Sequence, residues 1–168
     1  MKYLKISITT IFFGLINLLL CFVAFGDSSE SDFSPRFASL RSNEVNLRTG
    51  PGVRYPVEWV FYRKQLPIKI IRNFGTWRLI RDWEGAQGWV HQSTLIKKRT
   101  LVVTGKTRTL RKSPSTESKA VAKLEDGVIA ELKFCPSQSG WCRVETHGLT
   151  GWLRRAEFWG VDTNEEVK

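Results

Sequence analysis

Apolar and polar positions divide the chain into two unlike parts. Ile6 to Phe25 is almost wholly apolar, broken by Ser7, Thr9, Thr10 and Asn17. Beyond it no stretch of any length repeats at a helical period. Short segments take over instead. Val45-Asn46-Leu47-Arg48 alternates apolar and polar, and Leu66 to Ile71 reads LPIKII with Pro67 near its start, where a strand tolerates proline. Trp77 to Trp83 runs into the turn Glu84–Gly88 and then Trp89-Val90-His91. Val128 to Phe134, Trp141 to Thr146 and Trp152-Leu153 follow, the last two separated by Gly148–Gly151. Leu101-Val102-Val103 also reads as a strand, and Gln92 to Ile96 could form one helical turn. Short strands rich in Val, Ile and Trp between Gly and Pro turns predict an all-β fold.

These segments recur. Asn46-Leu47-Arg48-Thr49-Gly50-Pro51-Gly52 answers to Thr109-Leu110-Arg111-Lys112-Ser113-Pro114-Ser115 at an offset of 63. Gly88-Trp89-Val90 answers to Gly151-Trp152-Leu153 at the same offset, and Trp77 answers to Trp141 at 64. Matched blocks in the same order define two units, 41–98 and 105–160. An extended segment (27–40) precedes them, a short linker or strand (99–104) joins them and a tail (161–168) follows. So short a connection predicts a rigid pair with a shared interface.

The apolar start changes the picture of location. Lys2 and Lys5 precede it, Ala24-Phe25-Gly26 gives a small-x-small site, and a polar acidic stretch begins at Asp27. This is the pattern of a secretory signal over 1–26, cleaved before Asp27. A retained anchor is the alternative, since about 20 apolar residues can span a bilayer. Either way the remainder is expected outside the cytoplasm, periplasmic or secreted.

Among 168 residues, 26 are Lys or Arg and 16 are Asp or Glu, a net +10. Loss of the leader leaves +8, unevenly spread: residues 27–100 carry 13 basic and 7 acidic side chains, and residues 101–168 carry 11 and 9. Outside the cytoplasm nucleic acid is excluded as the natural partner. A cell-wall peptide or glycan, or an envelope protein, suits a basic face. Membrane contact is expected only through an uncleaved leader or weak electrostatics.

The motifs VNLRTGPG at 45–52, YPV at 55–57, Trp77 and GWV at 88–90 resemble the bacterial SH3-like family, as do TLRKSPS at 109–115, Trp141 and GWL at 151–153. PRFASLRSNEVNLRTGPG, RDWEGAQGWVHQSTL, WCRV and AEFWGV resemble a subfamily of secreted tandem members. The resemblance implies two small SH3-like β-barrels after a signal peptide. It also implies a non-catalytic binding role in the cell envelope, in a family whose members often accompany wall hydrolases. The second unit lacks both glycines of Thr49-Gly50-Pro51-Gly52, so a left-handed backbone available to Gly50 or Gly52 is not expected there.

Candidate chemistry is sparse. Cys135 and Cys142 flank a predicted hairpin turn and, in an oxidising compartment, are expected to form a disulfide. Cys142 and His147, five residues apart in one hairpin, are poorly aligned as nucleophile and base. The two histidines, His91 and His147, have no zinc-type spacing with the cysteines. His91 is expected to end a strand, and His147 to sit in the turn before Gly148. Asp82 and Glu84 read as solvated charges. No catalytic residue, metal or cofactor is expected. A small envelope enzyme or hydrolase regulator, and a structural scaffold, are the alternatives to a binding module.

Aromatics shared by both units (Trp77 with Trp141, Trp89 with Trp152) suit barrel packing. Those found only in the first unit are better ligand candidates. Tyr55, Trp59 and Trp83, beside Arg48, Arg54 and Arg81, are expected to form a basic aromatic face. The competing expectation is that they pack against the second unit or the segment Phe33–Phe37.

Overall fold

The computed structural model describes Phe33–Lys168. The expected leader at 1–26, and residues 27–32 after it, lie outside the described residues. Seven strands make the first sheet: β1 (Arg36–Leu40), β2 (Val45–Arg48), β3 (Val57–Phe61), β4 (Pro67–Phe74), β5 (Trp77–Arg81), β6 (Gln87–His91) and β7 (Leu95–Ile96). Seven more make the second: β8 (Thr100–Val103), β9 (Arg108–Arg111), β10 (Ala120–Leu124), β11 (Ile129–Phe134), β12 (Trp141–Thr146), β13 (Leu149–Arg154) and β14 (Phe158–Trp159). The orders are β3-β2-β6-β5-β4-β1-β7 and β10-β9-β13-β12-β11-β8-β14, one topology used twice. The fold is all-β, as expected, and each sheet wraps its own core. The first holds Leu40, Leu47, Ile68 and Ile80, and the second holds Leu101, Leu110, Val144 and Leu153.

Two segments outside the repeated units complete the sheets. The lead-in 27–40 ends in β1, which lies between β4 and β7 inside the first sheet. The joining segment 99–104 contains β8, inserted between β11 and β14. Phe37–Leu40 and Thr100–Val103 are buried at every position. A strand covered on both faces shows no alternation, which is why β1 does not stand out in the sequence, whereas the short apolar run Leu101-Val102-Val103 does read as a strand.

The cover on their second face is the other unit. Ser39 Oγ lies 2.7 Å from Thr100 Oγ1 and donates to Lys98 O at 2.5 Å, while Thr100 Oγ1 donates to Gln65 O at 2.7 Å. Both hydroxyls are fully buried and both are hydrogen-bonded, as burial requires. Around them Trp159 meets the Phe37 ring edge-on at 4.8 Å, with Lys69 and Arg99 also over that ring. Ion pairs join the units: Lys69 to Asp162 at 2.5 Å, Lys98 to Glu131 at 2.7 Å, and Arg99 to Glu165, whose Nη2 and Oε2 are 3.1 Å apart. The two barrels are therefore a fixed pair.

The tail 161–168 belongs to this joint. Val167 and Cys135 exchange backbone hydrogen bonds of 2.8 and 2.9 Å. Arg155 donates to the carbonyls of Pro136, Ser139, Asp162 and Glu165, tying the tail to the β11–β12 hairpin. Cys135 and Cys142 are disulfide-bonded across that hairpin, with their α-carbons 4.3 Å apart and both residues buried in the second core.

The Gly-Trp motif has a steric cause. A Cβ on Gly151 would stand 2.6 Å from Leu110 Cγ and 2.7 Å from the Arg111 carbonyl oxygen. A Cβ on Gly88 would stand 2.5 Å from Leu47 Cγ and 3.0 Å from the Arg48 carbonyl oxygen. At each site β6 or β13 passes so close to β2 or β9 that only glycine fits.

Two predictions test these contacts. Gly151→Ala destabilises the protein by about 1–3 kcal/mol, the usual cost of forcing an extra methyl into packed backbone, read from urea unfolding. The second concerns Glu165. Burial pushes its carboxyl up, but hydrogen bonds from Arg99 and the Asp162 N–H, with the charges of Arg99 and Lys69, outweigh burial and hold it below the ordinary value. Stability from a carboxylate so depressed is complete above the unfolded pKa of about 4.3 and is lost as pH falls through the folded one. The advantage of wild type over Glu165→Gln in urea midpoints is therefore largest at neutral pH and shrinks below about pH 4.

Candidate functional site

The six first-unit residues divide between two places. Arg48, Arg54, Tyr55 and Trp59 gather around the loop from β2 to β3 and the start of β3. Arg81 and Trp83 belong to the end of β5 and the turn after it.

Arg48 is a clasp. Its Nη1 donates to Tyr55 O at 2.8 Å and Val53 O at 3.1 Å, closing the loop between β2 and β3. Arg111 does the same in the second barrel, donating to Ser118 O at 2.8 Å. The two loops share a backbone path. Gly52 N–H bonds Gly50 O and Tyr55 N–H bonds Gly52 O, while Ser115 N–H bonds Ser113 O and Ser118 N–H bonds Ser115 O. The expectation of a left-handed residue at Gly50 or Gly52 is thus corrected: neither takes positive φ, and serines follow the same path.

What Gly50 provides is room. A Cβ there would fall 2.4 Å from Tyr55 Cδ1, because the tyrosine ring lies flat on the glycine. In the second loop the matched residue is Ser118, whose Oγ instead accepts from the Ser113 N–H at 2.9 Å. Arg54 extends over the outer face of Tyr55, its guanidinium 5.2 Å from the ring centroid and within 3.3 Å of the phenol oxygen.

Trp59 is 58% exposed on β3, the outer strand of the first sheet. It lines a shallow groove of about 430 Å³ with Val57, Glu58, Val60 and Tyr62. Tyr62 is 74% exposed, Val57 41% and Val53 78%. A lone exposed Trp needs no explanation, but a row of apolar side chains along an unpaired strand edge is a surface that can take a partner. Tyr62 and Val57 were not singled out from sequence. The signal was present, since Val57, Trp59 and Tyr62 match Ala120, Ala122 and Glu125 of the second unit.

Trp83 is half-buried and packs on the first core, as do Phe33 and Ile129 of the second barrel. Arg81 is exposed and pairs in register with Lys69 and Gln87. Asp82 is the correction in this turn. It is only 4% exposed, and its Oδ1 accepts from the N–H groups of Glu84 at 3.0 Å and Ala86 at 2.8 Å. Its carboxylate satisfies turn amides rather than facing solvent, whereas Glu84 is exposed.

The remaining polar candidates hold structural posts. His91 ends β6, meets Trp77 edge-on at 5.5 Å and caps the 3-10 turn Gln92–Thr94 with Ser93 as partner. His147 and Gly148 both take positive φ, 49° and 76°, in the two-residue turn between β12 and β13. The shared tryptophans are half-buried: Trp89 meets Phe74 at 6.4 Å and Trp141 lies under Arg154.

With the repeated sheets in view, the family model for the bacterial SH3 domain matches the chain twice, at residues 41–97 and 105–160. The chain belongs to the bacterial SH3 domain family. YrvJ of Bacillus subtilis (strain 168), provisionally named an N-acetylmuramoyl-L-alanine amidase, is 27% identical over 128 residues. That match takes in 69% of this chain and 24% of YrvJ, so the chain spans about a quarter of that relative. Among solved structures, NlpC1 from Trichomonas vaginalis aligns over 77% of this chain and 47% of its own, with 13% identity and a TM-score of 0.35. An NlpC/P60 family protein from Bacillus cereus ATCC 10987 aligns over 74% and 56%, with 16% identity and a TM-score of 0.33.

The Gly50–Tyr55 pair is open to a direct test. Gly50→Ala alone destabilises the chain by about 1–3 kcal/mol, because the ring must leave its seat. In the Tyr55→Ser background the same substitution costs less than about 0.5 kcal/mol. A double-mutant cycle from urea melts reads the difference as coupling.

Proposed function

We propose that this chain is a non-catalytic module of the bacterial cell envelope that binds a wall peptide or glycan, or a partner protein, through the outer edge of its first barrel. The observation that carries the reading is the exposed set Val57 and Trp59 on β3 with Tyr62 just after it, whose matched positions in the second barrel are Ala120, Ala122 and Glu125. An extended peptide can add to such an edge, its main chain pairing with β3 and its side chains lying in the aromatic groove. Family membership and the similarity to YrvJ, named as an N-acetylmuramoyl-L-alanine amidase, support the wall as the setting and an extracytoplasmic location.

The non-catalytic part of the reading has positive support in how the reactive groups are used. Cys135 and Cys142 are bonded to each other, and His91 caps a turn. Tyr55 and Arg48 shape the loop beside the edge, Arg54 covers Tyr55, and Trp59 is the anchor. Trp83 is assigned to the barrel rather than to the ligand, since it packs on the first core.

Retention on purified peptidoglycan tests this. The wild type is retained, and Trp59→Ala weakens binding roughly tenfold or more, as truncation of an aromatic anchor does. Its urea midpoint stays close to that of the wild type, because the side chain is mostly in solvent. Failure of the wild type to bind the wall overturns the wall version. Equal binding by Trp59→Ala takes the site off β3.

A further inference from the structure

A second groove lies on the opposite margin of the first sheet, between β1, β7 and the segment leading into β8, and encloses about 860 Å³. Its floor is apolar, with Phe37, Ile70 and Leu95. Its charged lining is entirely basic: Arg36, Arg41, Arg78, Lys97 and Arg99. Among the described residues, only Arg99 of these has its charge met, by Glu165. Arg41 and Arg78 are held by neutral acceptors, Arg41 by Leu95 O and Arg78 by the carbonyls of Gly75 and Trp77 and by Gln92 Oε1. Arg36 lies over the Phe33 ring, and neither it nor Lys97 makes an ion pair among the described residues.

Such a lining is electrostatically unfavourable by itself. Burial, and then the charge of Arg36, lower the Arg78 guanidinium from its ordinary value, so the like charges are close enough to feel one another. An anion between them would relieve that repulsion. The cations come from separate segments: Arg36 from β1, Arg41 just after it, Arg78 from β5 and Lys97 after β7. Donors arriving from several directions suit a tetrahedral phosphate. A planar carboxylate is satisfied by one guanidinium fork. We propose that this groove binds phosphate groups carried along an envelope polymer, with the polymer's carbon skeleton against Phe37, Ile70 and Leu95. That the polymer comes from the envelope rests on the function proposed above; the phosphate chemistry does not.

The full chain is titrated into fluorescently labelled polyphosphate, with poly-L-glutamate of matched charge as comparator, by anisotropy at several salt concentrations. Polyphosphate binds more tightly than polyglutamate, and its binding weakens with salt. Arg36→Glu with Lys97→Glu lowers its affinity about tenfold or more, the loss expected from reversing charge-assisted contacts. Both side chains are exposed, so the variant keeps its fold, checked by its urea midpoint. Lys119→Glu with Arg143→Glu, exposed residues of the second barrel, changes net charge equally and leaves affinity within about twofold. Equal loss in that control, equal affinity for polyglutamate, or no binding of polyphosphate each overturns the proposal. Trp59→Ala leaves polyphosphate binding unchanged, so failure of the β3 reading and failure of this groove are told apart.

Discussion

A methyl group at Gly88 or Gly151 would occupy the space of a core leucine and a carbonyl oxygen. That close crossing lets β6 reach β2, and β13 reach β9, through a single registered pair in each case: Arg48 with Trp89 and Arg111 with Trp152. Much else follows from the crossing. It brings Leu47 and Leu110 to the centre of their cores, and it sets the arginine that follows each leucine beneath the loop it clasps. The tryptophan after each glycine is left half-buried at the sheet surface. The recurrence of leucine-arginine and glycine-tryptophan at one offset is the sequence trace of this single steric demand, met twice.

The joint between the barrels works by different means. A pair of buried hydroxyls, each hydrogen-bonded, fixes β1 against β8, and aromatic and ionic contacts ring them. Hydrogen bonds between buried polar groups add little net stability, but leaving either partner unpaired is costly, so they favour one arrangement strongly. The tail strengthens that arrangement, carrying Asp162 and Glu165 to Lys69 and Arg99. The joint covers the second faces of β1 and β8 and leaves β3, at the far end of the first sheet, uncovered.

Much of this was legible in the sequence. The repeat, the all-β class, the hairpin cysteines and the turn at His147-Gly148 all leave local marks. What escaped depends on contacts distant along the chain. Phe37-Ala38-Ser39-Leu40 shows no alternation because both of its faces are covered. Gly50 suggested backbone freedom, yet it answers to the ring of Tyr55 five residues on. Asp82 looked like a surface charge, since nothing nearby says that its carboxylate closes a turn. Of the candidate site, Trp59 and Arg54 stand exposed as a ligand face requires. Trp83, equally conspicuous in sequence, is drawn into packing on the first core.

The uneven charge of the two halves is resolved at the joint. Lys69, Lys98 and Arg99 of the first half are neutralised by Asp162, Glu131 and Glu165 of the second. Three of the nine acids that keep the second half nearly balanced are thus turned toward its neighbour. Across the assembled pair the positive charge of the first half is thereby reduced along the seam. Arg36, Arg41, Arg78 and Lys97 form one cluster of the remaining cations, at the margin of the first sheet opposite β3. A net charge that only kept a small domain soluble could be scattered over its surface. Here the seam consumes the charges within its reach, and four of those left over meet in one groove of the first barrel.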